Sequence, residues 1–146
     1  MKILFRFLLL TFLAINLASC AKDSKEEQKK LIQLTTPKGW LRVKIETTTG
    51  NGQWTDVTGN LTPLEVDNLL FFGPNYVWWE DEGGIKFPGD PQLIDHGKYS
   101  LIQDRTQLLK DNGELYEILE LSKSSLILKT TKNNVVQKTT YKVFED

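Results

Sequence analysis

The sequence predicts an all-β fold, an eight-stranded up-and-down antiparallel barrel over 36–146, behind a leader and a short spacer. Three observations predict it. Strand-forming runs recur from Trp40 to Phe144, and turn residues separate them. Helical periodicity is nearly absent after Leu34. Most connections between consecutive runs are short, which favours a meander, and closing such a sheet removes edges that invite aggregation.

The leader, 1–19, carries Lys2 and Arg6 and then a mostly apolar run from Phe7 to Leu17. A positive start, an apolar stretch of this length and small residues after it are the pattern of a signal peptide. The run is too short for a comfortable membrane span. It ends at Leu17-Ala18-Ser19-Cys20, where Cys20 is the sole cysteine of the chain. This stretch resembles the lipobox of bacterial lipoproteins. The resemblance implies that the sulfur of Cys20 receives a diacylglyceryl group, that cleavage falls before Cys20, and that the new amine is acylated with a palmitate-type chain. More than one acyl chain is what stable anchoring at a bilayer needs. Ala21 stands where the inner-membrane retention signal of enteric lipoproteins has Asp, so the resemblance favours the outer membrane, on either face.

Removing 1–19 takes away two cations and no anion, so the net charge moves from −1 to −3. A mildly acidic, mixed surface gives no reason to expect nucleic acid and no polybasic patch for anionic lipid. With Cys20 lipidated, no thiol chemistry remains, and a single His, His96, excludes a His-rich metal site.

Residues 20–35 read as the lipidated cysteine and a flexible tether. Positions 21–30 are almost devoid of apolar residues, and such a segment buries too little surface to offset its ordering entropy. Ser24-Lys25-Glu26-Glu27 also fits a capping box that could open a short helix through Leu34.

The domain, 36–146, then divides into strands at 40–49, 67–72, 76–81, 96–102, 106–110, 114–121, 126–131 and 135–144. A doubtful short strand lies at 53–58. In the first run Leu41, Val43 and Ile45 alternate with Arg42, Lys44 and Glu46, which predicts an apolar inner and a polar outer face. The runs on either side of Gly73-Pro74-Asn75 pair as a hairpin and are apolar on both faces, which implies burial on both sides or an outer face that meets something. A long connection with Gly83, Gly84, Pro88 and Pro91 follows, and 82–95 is a candidate lid. Val135, Gln137, Thr139, Tyr141 and Val143 share one face of the last strand.

Together these runs resemble the lipocalin-like domains of Bacteroides-type lipoproteins. Lys38-Gly39-Trp40-Leu41, Leu69-Leu70-Phe71-Phe72, Gly97-Lys98-Tyr99-Ser100-Leu101 and Tyr116-Glu117-Ile118-Leu119-Glu120-Leu121 carry the likeness. Lipocalins proper separate their Gly and Trp by one residue, whereas Gly39 and Trp40 are adjacent. The family implies a calyx for small apolar molecules.

Catalytic patterns are absent. Asp95 and His96 alternate in direction along a strand and do not form one site. Glu80-Asp81-Glu82 with Asp90 lacks the spacing of a calcium loop. No phosphate loop, nucleophile elbow or zinc motif occurs. The chain is therefore expected to be no enzyme, with no catalytic residue, metal or cofactor. The aromatics suggest an apolar pocket lined by Phe71, Tyr76, Trp78, Tyr99, Leu101 and Tyr141. The expected function is binding of a small apolar or amphipathic ligand, or alternatively of a protein partner as an assembly subunit or inhibitor.

Overall fold

The computed structural model describes residues 25–49 and 52–145. The expected leader over 1–19, Cys20 and the first part of the expected tether lie outside the described residues.

A helix, α1, covers 25–34. Thr35 closes it through its backbone N–H on the Leu31 carbonyl at 2.9 Å, and Pro37 follows. The strands are β1 (Trp40–Thr49), β2 (Thr55–Asp56), β3 (Leu69–Phe72), β4 (Val77–Asp81), β5 (Leu93–Ile102), β6 (Gln107–Lys110), β7 (Leu115–Leu121), β8 (Ser125–Lys132) and β9 (Val135–Val143).

Eight of them form one closed antiparallel barrel in the order β1-β3-β4-β5-β6-β7-β8-β9, and a β1–β9 ladder completes the ring. The eight expected strands are all present. The doubtful run at 53–58 supplies the ninth, β2, which pairs with Glu46 and Thr47 outside the ring, followed by a 3-10 turn over Thr58–Asn60.

Two differences from the expected pattern matter. The alternation in β1 is broken by a register shift between Arg42 and Lys44. Val43 is the extra residue and stands outward, 40% exposed, while Arg42 follows the parity of the buried Trp40 to the barrel interior beside Tyr141. The second difference is in β5, which begins at Leu93, so the connection after β4 is 82–92. It is bonded to itself and to the chain before β3: Glu82 N–H donates to the Gln92 carbonyl at 2.8 Å, and Ile85 N–H to Asp67 Oδ2 at 2.9 Å. A Cβ on Gly83 would collide with Asp67, which is why glycine stands there.

The core fills one end of the barrel. Trp40, Phe72, Trp78, Tyr99, Leu108 and Leu126 are buried there, with Leu34 of α1 beneath them. Helix α1 closes this end. Leu34 is fully buried, and Trp40 donates its indole N–H to the Leu34 carbonyl at 2.8 Å. Glu27 accepts from the Tyr76 hydroxyl and pairs with Arg105, and Lys30 donates to the Arg105 carbonyl at 2.7 Å. A ten-residue helix is marginal in water by itself, so these contacts hold it. Over 25–34 the chain is therefore the short docked helix that the sequence also allowed, in place of a flexible tether: Leu31 and Leu34 pack on the core, while Ile32 stays exposed.

Candidate functional site

Above the aromatic core the barrel is hollow. The cavity holds about 380 Å³ and opens at the end away from α1. Its lining comes from the inward positions of every strand except β2, and it is largely polar.

Parity and register explain which side chains arrive there. Trp40, Leu70 and Glu80 stand in register across β1, β3 and β4. Arg42, two residues beyond Trp40, therefore passes over Leu70 and reaches Glu80, donating from its Nη2 to Oε1 at 3.3 Å. Both side chains are about four-fifths covered, at 20% and 23% exposure. Burial by itself lowers the Arg42 pKa, but Tyr141 and Glu80 more than offset this and raise it above the ordinary value, so the guanidinium stays charged.

Lys110 forms the second cationic group. It sits in register with Tyr99 at the end of β6, on the inward face. Its ammonium lies 3.4 Å from the centroid of the Trp78 ring and 5.5 Å from that of Tyr116. Glu114 stands 3.7 Å away. Burial pushes the Lys110 pKa below the usual lysine value, partly opposed by the charges of Glu114 and Glu80. Glu114 accepts from the Tyr116 hydroxyl at 2.8 Å. Burial tends to raise the Glu114 pKa, but that hydrogen bond and Lys110 hold it below its ordinary value.

Asp95 of β5 and Lys132 of β8 add one charge of each sign, and neutral polar groups complete the wall. Gln137 and Thr139 lie along β9, with the Gln137 amide donating to the Thr139 hydroxyl at 3.0 Å. Thr130 of β8 and the ring of Tyr141 adjoin them, and Leu70, Leu128 and Val135 are the aliphatic contribution.

The expected pocket residues separate into four groups. Tyr141 lines the cavity. Trp78, Tyr99 and Leu101 point inward but belong to the packed core, Trp78 lying directly under Lys110. Tyr76 is partly buried at the closed end, where it holds α1 through Glu27. Phe71 faces outward: it stacks on Trp79 with ring centroids 5.0 Å apart, and a Cβ on Gly39 would fall 2.6 Å from its Cζ. The outward Trp79 is thus covered by Phe71. Of the expected lid, 82–95, Asp95 lines the cavity from β5 and no residue of 82–94 does.

Arg42, Glu80, Lys110 and Glu114 were missed as site residues. A period-two reading treats a charged residue as outward, and nothing in Leu108-Leu109-Lys110 or Trp79-Glu80-Asp81 marks the charge as inward. Among the described residues, no group of three or more His, Cys, Asp or Glu is placed to hold a metal. His96 is exposed on β5, facing solvent.

Comparison with known proteins returned no matching family model, no matching curated protein and no matching solved structure.

Proposed function

We propose that this chain is a lipid-anchored envelope protein, held at the outer membrane through Cys20, whose barrel binds one small amphipathic molecule without turning it over. The observation that carries the reading is the cavity of about 380 Å³, closed below by aromatic rings and walled by placed polar groups. Ligand sites combine an apolar surface with a few oriented polar groups in this way. The polar wall moves the expected ligand from the apolar to the amphipathic side of that description.

Native mass spectrometry of the full chain released from membranes tests the binding reading. A single small molecule is expected to travel with the wild-type chain and to be lost from Thr139→Trp, which fills the cavity. Recovery of the same adduct from both proteins would sink it. Metabolic labelling with palmitate tests the anchor: label is expected on the wild type and not on Cys20→Ala.

A second reading, docking of a protein partner, draws on one observation. Ile85, Phe87, Leu93 and Ile94 are exposed together around the β4–β5 connection, Phe87 at 63%. Crosslinking in intact cells with a photoreactive residue at position 87 distinguishes the two readings: a discrete adduct supports docking.

A further inference from the structure

We propose that the barrel cavity selects a compact organic anion, whose carboxylate seats on the Lys110 ammonium. This rests on the reading of the cavity as a small-molecule site and adds the charge of its ligand.

The two ion pairs of the cavity are unequal, and the inequality carries the inference. Arg42 and Glu80 are matched in burial and within hydrogen-bonding distance. Lys110 and Glu114 are not: the lysine side chain is 9% exposed and the glutamate 42%, with 3.7 Å between them. The cation is inside and its counter-ion stands in water at the rim. Glu114 is already engaged by the Tyr116 hydroxyl. On its other side Lys110 meets the face of Trp78, which attracts a cation but offers no lone pair in the plane an N–H prefers. An ammonium has three donors, and leaving a buried charge with so loose a partner is costly. A ligand carboxylate reaching this point makes charge-assisted hydrogen bonds at about 2.7–2.9 Å.

The rest of the wall fits the remainder of such a molecule. Glu80 is neutralised at close range by Arg42, and the two further charged groups of the lining, Asp95 and Lys132, are of opposite sign. Thr130, Gln137 and Thr139 offer hydroxyl and amide groups to polar substituents, and Leu70, Leu128 and the Tyr116 ring take the apolar part. No wall of the cavity is a continuous aliphatic surface, so a long alkyl chain finds no matching lining there.

Benzoate and benzamide test the charge with nearly constant shape. The full chain, carrying 5-fluorotryptophan and held in phosphatidylcholine nanodiscs, is titrated with each, and the Trp78 fluorine signal is followed after assignment with Trp78→Phe. Benzoate is expected to bind roughly tenfold tighter than benzamide, the size of one charge-assisted hydrogen bond. That preference should vanish in Lys110→Met and survive in Lys110→Arg, which keeps the charge and remains decisive if the methionine variant fails to fold. Equal binding of the two probes to the wild type overturns the anion inference and leaves the small-molecule reading standing. A Trp78 signal unmoved by either probe at millimolar concentration overturns both.

Discussion

Lys110 occupies a position that a methionine would fill with similar volume. Its charge is kept between an indole face and the mouth of the cavity, and its carboxylate partner is solvated at the rim. Removing a loosely paired buried charge leaves no uncompensated ion behind when the other member faces water. Lys110→Met is therefore expected to leave the urea midpoint of the unliganded protein unchanged or to raise it, by about 1 kcal/mol at most. A clear loss of stability in that denaturation experiment would show that the lysine is a structural element of the core. Single residues also show where the sequence was hard to read. Phe71 and Phe72 are adjacent in a run apolar on both faces, so alternation carries no parity signal. The register Phe72↔Trp78 decides it, putting Phe72 inside and Phe71 outside. That register depends on the geometry of the 73–76 turn, where Tyr76 adopts φ +56°, a conformation its side chain does not advertise.

At the scale of elements, α1 contributes most that a strand count cannot. Leu34 is fully buried beneath Trp40, and truncating it to Ala should cost about 2–5 kcal/mol, read as a lower thermal or urea midpoint. The polar side of the same helix adds a pH dependence. The hydrogen bond from Tyr76, opposed by partial burial and helped by Arg105, lowers the Glu27 pKa below its ordinary 4.5. A carboxylate with a lowered folded pKa stabilises above its unfolded value and loses that contribution as pH falls through the folded value. The stability difference between wild type and Glu27→Gln is accordingly expected to be constant above about pH 4.5 and to shrink below it. A difference independent of pH would remove Glu27 from the docking of the helix.

Strand positions, by contrast, were legible almost throughout, because hydrophobic runs and turn residues such as Gly73-Pro74-Asn75 and Asn133-Asn134 punctuate the chain. Asn133 and Asn134 both take positive φ, 52° and 64°, the conformation of a tight two-residue hairpin loop. The bulge at Val43 was not legible. The apolar alternation of Leu41, Val43 and Ile45 continues unbroken across it, and only pairing with β9 shows that one residue is extra. Arg42 reaches the cavity because it shares the parity of the buried Trp40, whereas the alternation that starts at Leu41 assigns it to the other face. The candidate site was therefore the least readable part: it is assembled from charged residues that a linear pattern assigns to solvent.

The whole molecule joins a packed apolar half to a hollow polar half inside one ring of strands. Tyr99 and Tyr116 lie at the junction, and Tyr141 closes the wall above it. Burial raises the pKa of all three above the ordinary tyrosine value of 10.0, with Glu114 adding to the effect at Tyr116 and Arg42 opposing it at Tyr141. A group whose folded pKa is raised contributes stability that is present below its unfolded value and lost as pH climbs through the folded one. The barrel should thus hold its stability up to about pH 10 and lose it above, with tyrosinate absorbance rising together with unfolding. Tyr99→Phe, which also gives up the 3.3 Å hydrogen bond to the Gly73 carbonyl, should show a shallower alkaline decline. Tyrosinate absorbance that rises well before unfolding would mean that these hydroxyls titrate in the folded state.

Helix α1 and the Trp40 indole seal one end of the ring, so the hollow half is a blind alley. Whatever occupies it leaves by the door it came in. A second molecule cannot push the first out from behind, and exchange must wait for spontaneous departure. Turnover of the occupant is then set by its own off-rate, independent of how much competitor is waiting outside. On the proposed binding function, that is the behaviour of a holding vessel, as distinct from a conduit with a way through.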